Sequence, residues 1–299
     1  MEEAPMARRM IVVLVVALGL FCSQAWAVER GALFKVSGHG HTMMLFGTIH
    51  MGLPEFFPLD DSVTKALAAS TTLALEIDPT VQTPETAATV QRIALSTPAI
   101  VAAMPPALGP RLTRRLEALG APPALSTQLK PWMLLITLTT VEYAKLGYRP
   151  DLAIDTHLAR LAHSRKVKVM ALETVESQLD LFDRLPVADQ WTLLDETLAA
   201  LDSGEAQHEM TSVTAGWAKA DRAALDALAL GYEQDTRLSS QILQRRFLVE
   251  RNGPMADKLD GLLRREQHTM AAVGLMHLIG KDSLPALLRA KGLKIEQVY

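Results

Sequence analysis

Short apolar runs of strand length recur at both ends of the chain, and long stretches of helical spacing fill its middle. Ala32 to Val36 and Thr42 to Phe46 read as two strands around Ser37-Gly38-His39-Gly40-His41, a glycine-containing turn, and so predict a hairpin. Asp60 to Ser70 has helical spacing, with Val63, Leu67 and Ala68 on one side and Asp60, Asp61 or Ser62 available to cap its start. Thr71 to Ile77 follows as a buried strand. Strand, helix and strand in such close succession form a crossover unit of a parallel or mixed sheet.

From Thr83 to Lys145 the pattern is helical and alanine-rich, punctuated by Pro98, Pro105-Pro106, Pro122-Pro123 and Pro131, each expected to end or start a helix. Gly147-Tyr148-Arg149-Pro150 reads as a turn, Asp151 as the cap of a helix through His163, and Val167 to Leu172 as another short buried strand. Several helices follow from Val187 to Arg265. Thr269 to Val273 then returns as a strand, Asp282 to Ala290 as a helix and Leu293 to Val298 as a last strand. The expected class is α/β (α+β): a central mixed β-sheet flanked by helices, with a large helical insertion in the middle of the chain. One domain over 28–299 with helical insertions at about 83–146 and 187–265 accounts for the pattern, since a chain of 299 residues can bury a large core without dividing.

The amino terminus has a different character. Arg8 and Arg9 precede an unbroken apolar run from Met10 to Phe21, and Ala25-Trp26-Ala27 ends the segment, which together read as a secretory signal peptide over 1–27 with an A-x-A cleavage site. The run is about 12 residues, short of the ~20 needed to span a bilayer, so removal and a periplasmic address are expected, with no membrane span in the mature chain. Cys22 is the only cysteine, and bulky Phe21 before it argues against a lipidated start. Composition excludes a disordered polymer, a collagen-like fibre and a disulfide miniprotein: 49% of residues are hydrophobic and 21% charged. A net charge of −3 supplies no basic field for phosphates, so nucleic acid is excluded as a partner and a peptide or small-molecule substrate is expected.

Two strand exits echo one another. His41-Thr42-Met43 leads into Gly47-Thr48-Ile49-His50, and His268-Thr269-Met270 leads at the same spacing into Gly274-Leu275-Met276-His277. In each, glycine lets the backbone turn or approach closely, and an imidazole emerges beyond the carboxyl edge of the sheet, where open α/β sheets bind ligands. Glu76 and Glu173 also end apolar runs, Leu73-Ala74-Leu75 and Val169-Met170-Ala171-Leu172, and a carboxylate in such a place needs a partner or a metal. His50, His277, Glu76 and Glu173 therefore make a candidate site for a divalent ion with nitrogen and oxygen donors, Mn, Co or Zn, in which a bound water could be activated and one glutamate could serve as ligand and the other as base. Arg251-Asn252-Gly253-Pro254 is expected to interrupt the helical run ending near Glu250, with Pro254 opening a new helix. From there Arg251 could hold a substrate carboxylate or balance the two glutamates. The remaining histidines, His39, His41, His157, His163, His208 and His268, are expected to be exposed or structural. H-E-x-x-H, G-x-S-x-G and the glycine-rich phosphate loops are all absent from the sequence.

In order, Leu45-Phe46-Gly47-Thr48-Ile49-His50, Leu75-Glu76-Ile77-Asp78, Ala171-Leu172-Glu173-Thr174 with Gln178, Arg251-Asn252 and Val273-Gly274-Leu275-Met276-His277-Leu278-Ile279-Gly280 resemble the TraB/GumN family over nearly the whole mature chain. Lys130-Pro131-Trp132-Met133 and Asp155 also look like family positions. The family is related to the Tiki proteases and, more distantly, to the erythromycin-esterase and ChaN-like folds. The resemblance implies an α/β sheet with helical insertions and a metal-dependent hydrolytic centre built from His50, Glu76, Glu173 and His277, with Arg251 and Asn252 nearby. Some relatives bind haem iron or act in pheromone shutdown, so a non-catalytic metal- or haem-binding protein, or an inactive scaffold of the same fold, is the alternative to an exported metallohydrolase.

Overall fold

A computed structural model describes residues 29–299; the leader expected over 1–27 lies outside the described residues. Six strands form one sheet: β1 (Leu33–Gly38), β2 (His41–Thr48), β3 (Thr72–Leu75), β4 (Lys168–Ala171), β5 (His268–Gly274) and β6 (Lys294–Gln297), in the order β4-β3-β5-β2-β1-β6. β1 pairs antiparallel with β2 and β6, while β2, β5, β3 and β4 run parallel to one another. The sheet is mixed and flanked by helices, as the sequence pattern predicts.

The hairpin turns at His39 and Gly40, whose φ angles are 56° and 81°. Two successive positive values match the twist of the strands on either side. Asp60 caps the helix Asp61–Ala69 by accepting from the Ser62 N–H at 2.7 Å, and Val63 and Leu67 face the core. β3 is covered on both faces, every side chain of Thr72–Leu75 being buried, as expected of a parallel strand under helices on two sides. Trp217 anchors the helix Glu205–Ala218 to the sheet: its buried indole donates to the Gly47 carbonyl at 2.8 Å and packs against Phe46 and Phe56. A second apolar cluster around Leu112, Leu138, Trp191 and Leu198 joins the helices Leu108–Ala118, Pro131–Lys145 and Val187–Ser203. Each proline singled out between Thr83 and Lys145 lies at or near a helix boundary. Among the described residues no helix is long and apolar enough to cross a membrane.

Three local expectations are corrected. The run Val167 to Leu172 is not a fully buried strand, because β4 lies at the sheet edge, where Lys168 and Ala171 are exposed and Val169 and Met170 half-buried. Asp151 does not cap the following helix: it sits in a single tight turn, Pro150–Leu152, paired with Arg149, and the helix begins at Ile154. Arg251-Asn252-Gly253-Pro254 does not interrupt the chain's helical path. A wide π-helical stretch, Leu243–Val249, runs directly into the helix Glu250–Leu263, with Pro254 inside it. That helix buries Asn252, Met255, Ala256 and Leu259, and tertiary burial outweighs the local preference of glycine and proline to break it.

Candidate functional site

β4, β3, β5 and β2 are neighbours and run in one direction, so their carboxyl ends share one edge of the sheet. Glu173, Glu76, His277 and His50 all emerge there. The two G-x-x-H segments lie on adjacent strands staggered by one residue, since Gly47 pairs with Val273 and Thr48 with Gly274. The glycines make room at this crossing. A Cβ on Gly274 would stand 3.0 Å from His50 Nε2 and 3.1 Å from Glu76 Oε1, and one on Gly47 would stand 3.0 Å from Leu275 Cδ1.

Glu76 is the centre of the arrangement. Its Oε1 accepts the Gly274 N–H at 2.7 Å and lies 3.9 Å from His50 Nε2 and 3.8 Å from His277 Nε2. Its Oε2 accepts from Arg251 Nη2 at 2.5 Å and Gln178 Nε2 at 3.2 Å. Glu173 takes Arg251 on both oxygens, Nε at 2.9 Å and Nη2 at 2.6 Å, and also accepts from Gln178 at 3.0 Å. Gln178 is carried by the helix Val175–Asp183, which Thr174 starts with a reciprocal capping box. The third Arg251 nitrogen donates to the Phe247 carbonyl at 3.1 Å. Of the two roles considered for Arg251, the structure shows it balancing Glu76 and Glu173, with every guanidinium nitrogen engaged inside the protein.

Each imidazole is oriented by a partner on its far nitrogen. His50 Nδ1 donates to Asp155 Oδ2 at 2.8 Å, a carboxylate that also receives the Thr156 N–H. His277 Nδ1 lies 2.6 Å from Asn252 Oδ1, while the Asn252 amide nitrogen donates to the Asp282 carbonyl at 2.8 Å. Asn252 Oδ1 is thereby the acceptor and His277 Nδ1 carries the proton. Both Nε2 atoms face Glu76, an arrangement shared with metal-ligating histidines.

The environments of the three groups differ sharply. Burial pushes His277 down to about 4, against the pull of Glu76 and Glu173, so it is neutral at neutral pH. Burial also opposes the charged form of His50, but the Asp155 hydrogen bond and the charges of Asp155 and Glu76 outweigh it and raise the ring to about 9. The His50 side chain is 60% exposed and that of His277 4%, so water screens part of the effect on His50. Glu76 would be raised by burial, yet the imidazoles, Arg251 and the Gly274 N–H bring it down to about 2. With His277 neutral, the positive charge holding Glu76 ionised at neutral pH comes from His50 and Arg251.

Donors arranged tetrahedrally at about 2.1 Å from an ion stand about 3.4 Å from one another. The separations of 3.8 and 3.9 Å between the two Nε2 atoms and Glu76 Oε1 are a few tenths of an ångström wider. As placed, no group of three or more His, Cys, Asp or Glu side chains among the described residues forms a finished cation site. The donor chemistry, the free Nε2 lone pair of His277 and the outer partners Asp155 and Asn252 fit a divalent ion. Glu173 is the member least suited to ligation, both its oxygens being taken by Arg251 and Gln178.

Asp155 enters the site through the first turn of the helix Ile154–Ser164; only family resemblance had marked it. The Gly274 N–H and the Asp282 carbonyl have no side-chain signature and could not be read from residue types. Four of the other histidines are engaged elsewhere, His39 with Asp260, His41 with the Leu263 carbonyl, His163 with Asp78 and His268 with Thr42. Lys130 and Trp132 both donate to Asp183, closing the helix that carries Gln178.

Fold and site together define an α/β protein in which two G-x-x-H strand exits and two strand-end glutamates meet at one sheet edge. The model of the TraB/PrgY/gumN family matches residues 32–297, and the chain belongs to that family. It is similar to the uncharacterized protein YbaP of Escherichia coli (strain K12), 26% identical over 277 residues that cover 88% of this chain and 96% of that protein. The Shigella flexneri uncharacterized protein YbaP is 25% identical with the same coverage. No solved structure matches the chain.

Proposed function

We propose that this protein is an exported metal-dependent hydrolase, acting on an amide or peptide bond, in which His50, His277 and Glu76 hold a divalent ion, Mn, Co or Zn. The observation that carries this reading is the convergence of two imidazole Nε2 atoms on one oxygen of Glu76, each ring fixed from behind by Asp155 or Asn252. When bound, such an ion lowers the pKa of a coordinated water and polarises a carbonyl. The protein's own contribution is positional. Asp155 and Asn252 hold the rings with their Nε2 atoms inward, and Arg251 and Gln178 pin Glu76 Oε2 so that Oε1 alone faces the imidazoles. Glu173 acts by fixing Arg251. The open face of His50 is the side from which a substrate reaches the site. Arg8, Arg9, the apolar run and Ala25-Trp26-Ala27 support export to a periplasm.

The test is metal analysis of the purified mature protein, followed by cleavage of a peptide library with added manganese, cobalt or zinc, for wild type, His50→Ala and His277→Ala. Metal-stimulated cleavage lost in both variants is the expected result. Cleavage unchanged in the variants, or no uptake of any of these metals, overturns the reading. Stoichiometric metal or haem without turnover replaces it with a binding function.

A further inference from the structure

Away from the strand exits, helices from the middle of the chain enclose a groove that the proposed hydrolytic site does not use. It consists of two adjoining concavities of about 200 Å³ and 370 Å³ that share Glu205, Glu209, Tyr232 and Arg237. Glu205 and Glu209 lie one turn apart on the helix Glu205–Ala218, Tyr232 comes from Arg222–Gln234, and Tyr143 closes the smaller end from Pro131–Lys145.

The charges around this groove are settled internally with one exception. Arg237 Nη2 meets Glu205 at 2.8 Å and Asp235 at 2.6 Å. Glu196 accepts the backbone N–H groups of Leu238 and Ser239 at 3.2 and 2.8 Å. Glu209, half-buried and lining both concavities, makes no hydrogen bond or ion pair with another described residue. Burial pushes its carboxyl up, and the charges of Glu205 and Asp235 push the same way against Arg237. Like charges one helical turn apart destabilise a helix, and a half-buried carboxylate with no directly bonded cation adds to that cost. A cation entering the groove relieves both.

The lining selects the kind of cation. One free carboxylate offers too few oxygen donors for a bare hard metal ion. Tyrosine rings attract ammonium groups across their faces, and Leu228 and Ala227 give the larger concavity an apolar wall. We propose that the groove binds a small organic ammonium ion, its nitrogen at the Glu209 carboxylate and its carbon stem along Tyr232 and Leu228. This site is separate from the strand-exit centre and does not depend on the hydrolase reading.

Calorimetric titration of the full mature chain with n-pentylammonium and with pentan-1-ol tests it. The ammonium is expected to bind saturably at one site, at least about tenfold more tightly than the alcohol, and more weakly as salt is raised. Glu209→Gln, with an unchanged circular dichroism spectrum, is expected to weaken ammonium binding about tenfold. Tyr232→Leu is expected to weaken it severalfold, while His50→Ala leaves it unchanged. Equal binding of the alcohol, full affinity in Glu209→Gln, or no saturable binding of the ammonium overturns the proposal. The first comparison uses wild-type protein alone and stands whatever the variants do.

Discussion

Gly274 sits where two strand exits and a buried carboxylate meet, and the missing Cβ is what lets them meet. Its backbone is ordinary, φ −50° and ψ 136°, so alanine costs nothing in backbone conformation there. The cost is contact: a methyl group at 3.0 Å from His50 Nε2 and 3.1 Å from Glu76 Oε1 must push one of them aside. Gly274→Ala is expected to lose about 1–3 kcal/mol in urea unfolding and to weaken metal uptake, measured by equilibrium dialysis, by more than the stability loss explains. His50 gives a pH signature. Its folded-state pKa is raised from 6.5 to about 9, so its contribution to stability is fully present below pH 6.5 and is lost as pH rises through about 9. Asp155→Asn removes the charge that sustains the rise. In metal-free protein, the difference in thermal midpoint between wild type and Asp155→Asn should shrink across that window, and a difference constant from pH 6.5 to 9 would rule out this pairing.

At the scale of elements, the helix Glu250–Leu263 matters because it brings Arg251 and Asn252 to the sheet edge on consecutive residues, one to the carboxylates and the other to His277. Arg251→Ala would leave the buried Glu76 and the half-buried Glu173 side by side without their shared cation, and a loss of about 3 kcal/mol is expected in chemical denaturation. Adding Glu173→Gln in that background should recover part of it, because one of the two stranded charges is then gone. This helix is also where sequence pattern was least informative. Asn-Gly-Pro carries every local mark of a helix break, and the burial of Asn252, Met255, Ala256 and Leu259 on one face keeps the chain helical through it. β4 departs from its pattern for a related reason: Val169-Met170-Ala171-Leu172 is apolar throughout, and apolarity along a strand does not say whether another strand lies beyond it. The hairpin, the buried β3 with Glu76 at its end and the paired G-x-x-H exits were legible, because each depends on short-range patterns: a turn with two positive φ angles, an apolar run, a glycine three residues before a histidine. What pattern could not supply was the adjacency of β2 and β5, which makes those two motifs a single place.

For the whole molecule, that adjacency means the candidate centre joins segments far apart in the chain. His50, Glu76 and His277 belong to the exits of three neighbouring strands, with long helical insertions threaded between the second and third. In the unfolded chain no such set of donors exists, so an ion that binds it binds the native state alone and stabilises it by mass action, about 2.7 kcal/mol at a hundredfold excess over the dissociation constant. For a domain of this size that corresponds to a rise of roughly 5–10 °C in thermal midpoint. Protein stripped with a chelator and then melted with and without manganese, cobalt or zinc should show the rise in wild type and lose it in both His277→Ala and His50→Ala. Since His277 is buried and His50 largely open to water, the His277 variant should also have a lower metal-free midpoint, whereas His50→Ala should change it much less. A metal-induced shift that survives in both variants would locate the ion elsewhere. The absence of any shift in wild type would leave the strand-exit cluster as an ion-paired network of Arg251, the glutamates and His50, with no metal to hold.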